Sequence, residues 1–326
     1  MPIRKGYVGD VPVDGSSGEN EWQGFIPFDE LPSFYNPPQG VIVTANQNPF
    51  PADYRYAVNG NFASHYRSRQ IRDLLLARNG WRAEDMLTVQ KDVYSAFSQR
   101  LAEAIVGAYD RHKAQHTALD GAVQLLRGWN GQMDKDSAAP LMVTLAYEHL
   151  KTRVAASATP SAGARYKYQM APAVVETLLR TRPAGWFADW DETILLSFAE
   201  GLEEGHKAQG RDPGHWVYGK YEPLLLGNPV GRHLPLVAGL FDIGPVPMSG
   251  STTTVKQYNG ALGPSMRLDA DLADWDRSLL EGTTGQSGQV LSGHYKDQWV
   301  SYYYARSFPM QFDKVQGKEV LILAPK

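Results

Sequence analysis

The middle of the chain carries apolar residues at the spacing of amphipathic helices. From about Ser68 they recur every three or four positions, which is the period of one helix face. These positions are Ile71, Leu74, Leu75, Met86, Val89, Val93, Phe97, Leu101, Ile105 and Val106. The pattern predicts two helices with a break around Asn79-Gly80, because Asn-Gly pairs favour turns. The same spacing predicts further helices over 119–126, 141–154, 174–179 and 194–202.

Both ends of the chain have the composition of short strands and turns. The first part is rich in Gly, Pro, Asn and Asp and contains the extended run 40–44. After Trp216 the chain again alternates turns with β-branched and aromatic residues. The runs that we predict to be extended there are 252–255, 299–304 and 319–323.

These patterns together predict an α+β fold. β-rich ends flank a helical middle, so we expect the two ends to share one sheet system while the helices form an excursion. Residues 1–66 would form strands and loops near a site, residues 67–215 would be mostly helical, and residues 216–326 would be strand-rich and return to the sheet. Within the helical part, the Ala-, Ser-, Gly- and Pro-rich segment between Thr152 and Tyr166 predicts a flexible loop rather than a domain boundary.

Length, charge and composition indicate a globular chain and argue against some classes of partner. With 326 residues, 43% of them hydrophobic, the chain is long enough for a sizeable core. A net charge of -3 and the absence of Lys/Arg runs argue against a nucleic-acid partner. No apolar run reaches the length of a membrane span and no secretory signal is visible, so we expect a soluble chain with no membrane partner. Because cysteine is absent, disulfides, thiolate zinc sites and a Cys nucleophile are excluded.

The sequence contains no complete catalytic or phosphate-binding motif of the common kinds. Gly285-Gln286-Ser287-Gly288 resembles part of a nucleophile elbow, but Gln289 stands where the last Gly of G-x-S-x-G is required. We therefore favour a tight turn over a catalytic Ser287.

Two groups of residues have side chains of the metal-binding kind. His112 and His116 lie four positions apart on a predicted helix, but we see no nearby carboxylate to complete a site and favour a solvated helix end. The second group is the acidic cluster Asp269, Asp271, Asp274 and Asp276. It lacks the Gly and the distal Glu of a calcium loop, so an N-cap in an exposed turn is favoured.

Several short sequence motifs, called phrases below, stand out because of their order along the chain. In the first part they are Trp22-Gln23-Gly24-Phe25-Ile26-Pro27-Phe28, Asn36-Pro37-Pro38-Gln39-Gly40 and Val43-Thr44-Ala45-Asn46. In the last part they are Gly227-Asn228-Pro229, Gly263-Pro264-Ser265-Met266-Arg267, Gly285-Gln286-Ser287-Gly288 and His294-Tyr295-Lys296-Asp297-Gln298. Together they resemble the C-terminal part of the β-subunit of penicillin acylases (penicillin amidases), which are N-terminal nucleophile hydrolases. The resemblance covers nearly the whole chain and implies part of an αββα sandwich.

The resemblance implies that Asn46 is an oxyanion-hole residue. An amide hydrolase must stabilise the oxyanion of a tetrahedral intermediate, and a side-chain amide N–H is one donor that does so. Asn46 follows a β-rich run, which could hold its side chain in a site with little water. The alternative is an Asx-turn in which Asn46 or Asn48 bonds to its own backbone beside Pro49.

The resemblance also assigns roles to Arg67 and Asp53. Arg67 matches a family Arg that orients the Asn, and a guanidinium fork can hold a carbonyl and a side-chain oxygen together. The alternative for Arg67 is a solvated helix face that it shares with Arg69 and Arg72. Asp53 lies where the family has a carboxylate for a structural Ca²⁺, and the alternative is a surface turn. No cofactor is implied for catalysis.

The nucleophile that the resemblance implies does not occur in this chain. In the family it is a Ser at the N-terminus of the β-subunit, and its own α-amine acts as the base, whereas this chain begins with Met1. The α-subunit and the N-terminal part of the β-subunit are the implied partners. We therefore expect a fragment of an amidohydrolase that is inactive alone, and the alternative is a non-catalytic remnant that binds a ligand or partner.

The substrate and the location follow from the resemblance only in outline. The substrate would be a small-molecule amide, and penicillins, cephalosporins and acyl-homoserine lactones are not distinguished. The parent precursor would be periplasmic or secreted. Because excision from a sandwich exposes apolar faces, we expect the chain to self-associate.

Overall fold

The structure, a computed structural model, describes residues 1–161, 163–167, 170–317 and 321–325. The chain divides into two compact units, Met1–Leu76 and Ala77–Lys326. Helices and strands are mixed, as predicted for an α+β chain, and most of the helices lie in the second unit.

The first unit contains a strand pair and one helix. Strand β1 (Pro2–Arg4) pairs antiparallel with β2 (Trp22–Phe25), and helix α1 spans Tyr66–Leu76. The predicted extended run 40–44 is irregular chain that pairs with no strand among the described residues. Gly40 has a left-handed backbone with a φ of 68°, which turns the chain where this run begins and keeps it out of line with a neighbouring strand.

The second unit is built on helices. In order they are α2 (Ala83–Gln90), α3 (Ala96–His112), α4 (Asp120–Leu126), α5 (Ala139–Ala158), α6 (Gly163–Tyr166), α7 (Pro172–Thr181) and α8 (Trp190–Gln209). Helix α5 packs along α8, and α3 packs against both. The buried side chains on these helices include Leu101, Ile105, Tyr109, Leu141, Leu145, Leu150, Ile194, Leu195 and Phe198.

The sequences of α3 and α8 explain how these helices pack. Phe97, Leu101 and Ile105 are spaced by four residues and are buried, so one face of α3 points into the core. A Cβ on Gly201 of α8 would lie 2.9 Å from the backbone nitrogen of Ala146 in α5. The close approach of α5 and α8 therefore requires glycine at this position.

Most of the predicted helices are confirmed. The stretches 119–126, 141–154, 174–179 and 194–202 correspond to α4, α5, α7 and α8. The stretch after Ser68 forms three helices, α1 to α3, rather than two, and the predicted break holds Gly80 with a φ of 70°. The predicted loop 152–166 is wrong over most of its length, because α5 continues to Ala158 and α6 spans Gly163–Tyr166. The buried Val154 and Ala155 show that core packing extends α5.

Short strands and short helices alternate in the last third. Strand β3 (Leu224–Leu226) pairs with β4 (Ile243–Val246). Strands β5 (Met266–Asp269), β6 (Leu279–Gly282) and β7 (Phe308–Pro309) form an antiparallel sheet in that order. The short helices are α9 (Tyr218–Tyr221), α10 (Pro229–His233), α11 (Ala238–Phe241) and α12 (Trp299–Tyr303). Within the described ranges β1 and β2 pair only with each other, so the predicted sheet shared by both ends of the chain is not seen there.

Two of the extended runs predicted in the last third have other conformations. Residues 252–255 form a turn, in which the backbone N–H of Ser251 donates to Thr254 Oγ1 at 2.8 Å. Residues 299–303 form α12, because a helix brings the rings of Trp299 and Tyr303 into contact, with centroids 5.6 Å apart. The run 319–323 lies partly outside the described residues, and its described part, 321–323, is not a strand.

Candidate functional site

Asn46 lies in the first unit with its backbone in the left-handed region, at a φ of 64°. Asn is among the few residues other than Gly that adopt this conformation at modest cost. The backbone N–H of Ala63 donates to Asn46 O at 2.8 Å, and the Gln47 side chain accepts the N–H of Ala45 at 2.6 Å. The main chain on both sides of Asn46 is therefore held, while its side chain is exposed rather than enclosed away from water.

Arg67 fixes the orientation of the Asn46 side chain. From the first turn of α1, Arg67 Nη2 donates to Ala45 O and to Asn46 Oδ1, both at 2.8 Å. Because a guanidinium can only donate, the amide atom that faces it must be the oxygen. The amide nitrogen Nδ2 then faces away from Arg67, and none of the described residues accepts a hydrogen bond from it.

The structure distinguishes Asn46 and Arg67 from their sequence neighbours. The Asx-turn foreseen at this place is made by Asn48, whose Oδ1 accepts the N–H of Phe50 at 2.9 Å. Arg67 is half-buried and burial lowers the pKa of its guanidinium, whereas Arg69 and Arg72 are exposed. Asn46 and Arg67 thus come together although 20 residues separate them in the sequence.

A cleft of about 710 Å³ lies beside this pair within the first unit. The run 41–44 forms one wall, and Ser68, Arg69 and Arg72 of α1 form part of the other. The cleft therefore combines an apolar wall with guanidinium groups next to the residues that flank Asn46.

Asp53 is exposed in a turn of the first unit. Within the described ranges there is no group of three or more His, Asp or Glu side chains placed to hold a metal ion. The assignment of Asp53 to a Ca²⁺ site stays a prediction.

His112 is the last residue of α3 and His116 follows it, and both side chains are half-buried rather than fully solvated. Carboxylates of α8 face both rings, with His116 Nε2 2.8 Å from Glu192 and His112 Nε2 3.6 Å from Asp191. The expectation that no carboxylate lies nearby is therefore wrong, because both acids come from a helix distant in sequence. Asp191 also receives two hydrogen bonds from Arg111, at 2.5 and 2.7 Å.

Three of the four acidic residues of the predicted cluster shape a turn. Asp274 Oδ1 accepts the N–H of Asp276, and Asp271 and Asp276 accept other backbone N–H groups, as the capping interpretation predicts. Asp269 differs because it is buried on β5 and receives a hydrogen bond from Gln90 Nε2 at 2.6 Å. Burial raises the pKa of Asp269 to about 6.

Ser287 lies in a tight turn. Its Oγ accepts the N–H of Gln289 at 3.1 Å, and its own N–H donates to His294 O at 3.1 Å, which is the arrangement of a tight turn. Gly285 is required by close packing rather than by a positive φ, because a Cβ there would lie 2.1 Å from His294 O.

The C-terminal phrases of the sequence contact each other in the second unit. Asn228 Nδ2 donates to Tyr295 Oη at 3.0 Å, and Tyr295 Oη donates to Phe241 O at 2.9 Å. Lys296 Nζ donates to Asp242 O at 2.7 Å. These phrases therefore stabilise the fold of the second unit.

A buried ion pair at β5 and β6 was not foreseen from the sequence. Arg267 Nη1 donates to both oxygens of Glu281 at 2.8 Å, and both side chains are buried. The two residues are cross-strand partners, so opposite charges at facing positions were the available signal. Burial, with the nearby Arg267 charge, lowers the pKa of Lys256 to about 8.

Comparison with known proteins identifies the family. The amino-acid sequence matches the penicillin amidase family model over residues 1–319. The chain belongs to the penicillin amidase family. The resemblance stated from the sequence phrases is thereby confirmed.

Relatives within the penicillin amidase family include two kinds of acylase. The chain is 27% identical over 348 residues to penicillin acylase 2 proenzyme of Pseudomonas sp. (strain SE83), which covers 98% of this chain and 43% of that protein. It is 25% identical over 365 residues to acyl-homoserine lactone acylase QuiP of Pseudomonas fluorescens, which covers 100% of this chain and 43% of that protein. The chain therefore spans less than half the length of these curated relatives.

The fold is also similar to that of a solved penicillin amidase family member. A thermostable penicillin G acylase from Alcaligenes faecalis matches 100% of this chain and 64% of its own chain, with a TM-score of 0.65 and 17% sequence identity. The family is one of acylases, which are hydrolases. Among the helices that the structure describes, none combines the length and the apolar character needed to cross a membrane.

Proposed function

We propose that this chain supplies the oxyanion-stabilising part of an amide hydrolase site, with Asn46 Nδ2 as the donor. The nucleophile would be an N-terminal Ser contributed from outside these 326 residues, together with an α-subunit and the N-terminal part of the β-subunit. The chain would form part of an αββα sandwich and would be inactive alone. This proposal is supported by family membership and by the 43% of each curated relative that the chain spans.

The contact of Arg67 with Asn46 carries the proposal. Arg67 Nη2 holds the Asn46 oxygen at 2.8 Å, so the Nδ2 group is turned away from Arg67 and is available to a substrate. An oxyanion-hole donor must be held before the reaction, because a donor that reorients during the reaction loses part of its stabilising energy. The main chain at Asn46 supports the same conclusion, because the hydrogen bonds of the Ala45 N–H and of Asn46 O hold it in its left-handed conformation without a substrate.

The chemistry of the site would be acyl transfer. The Ser oxygen attacks the amide carbonyl carbon, its proton passes to the α-amine, and the carbonyl oxygen gains negative charge. Asn46 Nδ2 would donate to this oxyanion, an interaction that is stronger in the transition state than with the neutral carbonyl. Arg67 acts as a positioning residue, because its Nη2 group is engaged by Ala45 O and Asn46 Oδ1.

The substrate class is a small-molecule linear amide. The relatives are named penicillin acylase and acyl-homoserine lactone acylase, so we extend to this chain the removal of an acyl group from an amine. We also propose, from the resemblance alone, that Asp53 contributes to a structural Ca²⁺ site and that the parent precursor is periplasmic.

Substitution of Asn46 in the assembled hydrolase tests the proposal. We expect Asn46→Ala to lower kcat by about 10²- to 10³-fold with little change in KM, because the hydrogen bond forms mainly in the transition state. Asn46→Gly adopts a positive φ without strain, so an equal loss in both variants assigns the effect to the side chain. Asn48→Ala is the matched control and should retain kcat within about 2-fold.

The outcomes are distinct for each part of the proposal. Near-full kcat in both Asn46 variants would refute Asn46 as the donor. Loss of activity in Asn48→Ala alone would move the assignment by two residues. Hydrolysis of a phenylacetyl anilide by the purified 326-residue chain, without any other segment, would refute the proposal that the nucleophile lies outside it.

A further inference from the structure

The second unit contains a cavity of about 650 Å³ with aromatic and hydroxyl walls. Its lining comes from α3, α5, α9, the segments 170–172 and 251–259, and the single residues Met133 and Glu222. A volume of this size is in the range of small-molecule sites. None of the lining residues belongs to the first unit, so the cavity shares no residue with the candidate hydrolase site.

Three tyrosines line the cavity with their hydroxyl protons already engaged. Tyr147 Oη donates to Met170 O and Tyr218 Oη donates to Gly250 O, both at 2.9 Å. Tyr221 Oη donates to a carboxylate oxygen of Glu204. Because each hydroxyl has one proton, these three oxygens can offer a ligand only their lone pairs.

The charged residues of the lining leave one carboxylate unpaired. Lys151 Nζ pairs with Glu148 at 2.5 Å and lies 4.7 Å from the centroid of the Tyr147 ring. Glu222, at the exposed rim, has no ion-pair partner among the described residues. Desolvation by the surrounding protein, and then the nearby Glu148 charge, raise the pKa of Glu222, and the positive charge of Lys151 opposes them in part. A cation bound beside Glu222 would favour its charged form and so offset the two raising effects.

Tyr258 provides a second sign of an occupant. It lines the cavity and is 2% exposed, and its Oη has no hydrogen-bond partner in the part of the chain that the structure describes. A buried hydroxyl without a partner destabilises a fold, so such groups call for a bound water or ligand.

We propose that this cavity binds a small organic ammonium compound with an apolar body. The ammonium group pairs with Glu222 and donates to hydroxyl oxygens of the lining, and Tyr258 Oη gains its missing partner. Phe97 and Met133, which are buried, pack against the apolar body. Aromatic faces favour a cation over a neutral group, and the three tyrosine oxygens offer it acceptors.

Calorimetry on the 326-residue chain tests this inference with benzylammonium as the probe and benzyl alcohol as its neutral analogue. At pH 7 we expect benzylammonium to bind at least about 10-fold more tightly, because only the cation pairs with Glu222. Glu222→Gln should weaken benzylammonium by about 10-fold and leave benzyl alcohol unchanged. The matched control is Glu84→Gln, an exposed residue of α2 that does not line the cavity, and it should change neither affinity.

Tyr258→Phe places the ligand in the cavity rather than on the rim. It should weaken benzylammonium by about 3- to 10-fold, because the ligand loses a buried hydrogen bond. Thermal unfolding by circular dichroism establishes that each variant is folded. If Tyr258→Phe does not fold, the effect of Glu222→Gln, on the rim, on benzylammonium binding tests the inference alone. Equal affinity for benzylammonium and benzyl alcohol, or equal effects of Glu222→Gln and Glu84→Gln, would overturn the inference.

Discussion

Arg67 Nη2 is 2.8 Å from Asn46 Oδ1 and makes a second hydrogen bond of the same length to Ala45 O. One guanidinium nitrogen therefore ties the side chain of Asn46 to the main chain that precedes it. The Asn46 amide can rotate only if the hydrogen bond from Arg67 Nη2 to Asn46 Oδ1 breaks, so the direction of Asn46 Nδ2 depends on Arg67. We therefore expect Arg67 to influence the proposed reaction through Asn46.

Replacing Arg67 by Lys should reduce the turnover of the assembled hydrolase more than substrate binding. Lys keeps the charge, but the ammonium on its flexible stem does not hold its N–H groups in a fixed plane as the guanidinium holds those of Nη2, which reach both oxygens. We expect kcat to fall by about 10-fold while KM changes by less than about 2-fold, because only the transition state uses the oriented amide. Steady-state kinetics on an acyl anilide measures both constants.

Arg55→Lys is the control for this experiment, since Arg55 lies in the first unit, is exposed and does not line the cleft beside Asn46. It should leave kcat unchanged. A rise of KM at constant kcat in Arg67→Lys would mean that Arg67 binds substrate directly, and it would refute the positioning role.

The helices could be predicted from the sequence because their signal is local. Phe97, Leu101 and Ile105 repeat at the helical period, and the core buries them as that period requires. The strands were harder, because the pairing of a short strand depends on a distant partner. The aromatic run from Trp299 to Tyr303 has strand-forming residues, yet ring packing at helical spacing decides its conformation.

The candidate site could be located from the sequence only in part. The phrases before Asn46 pointed to it, but the choice between an oxyanion donor and an Asx-turn could not be made locally, since Asn46 and Asn48 share the same surroundings. The contact with Arg67 needs the chain to fold back from α1. The carboxylates that face His112 and His116 were missed for the same reason, because they come from α8.

Stability should depend on pH through Asp191. Hydrogen bonds from Arg111, with a further contribution from Arg182, lower the pKa of Asp191 to about 2 from an ordinary value of 3.8. Because the folded pKa is the lower one, the carboxylate stabilises the native state above pH 4, and this contribution is lost as the pH falls towards 2. Both arginines are partly exposed, so we expect only about 1–2 kcal/mol.

Urea unfolding of Asp191→Asn measures this contribution. At pH 6 the variant should be less stable than the parent chain by about 1–2 kcal/mol, and the difference should shrink as the pH is lowered from 5 to 2. A difference that stays constant over this range would show that packing, and not the charge of Asp191, accounts for the loss.

Gly205 on α8 should not tolerate even a methyl group. A Cβ there would lie 2.3 Å from Cη2 of Trp216, which is buried and fixed by a hydrogen bond from its Nε1 to Gly210 O. We expect Gly205→Ala to lower the free energy of unfolding by about 1–3 kcal/mol through overpacking. Gly121→Ala, in α4 with no heavy atom within 4 Å of the added Cβ, should instead raise it by up to about 1 kcal/mol. Equal effects of both substitutions in urea titrations would contradict the packing argument.

Self-association of the chain should depend on aromatic residues of the first unit. Phe28 is 90% exposed and Tyr35 is 97% exposed, and Phe25 and Phe34 are also exposed. Exposed apolar groups of this size favour association because contact removes them from water. We expect light scattering to show a mass above 36.1 kDa at micromolar concentration, and the double variant Phe28→Ser, Tyr35→Ser to shift the chain towards the monomer. Both side chains make little contact, so the fold should be retained.

Leu236→Ser, at a fully exposed apolar residue of the second unit, is the matched control. An equal shift in that control would assign association to general hydrophobicity, and a monodisperse monomer of the unchanged chain would refute the prediction.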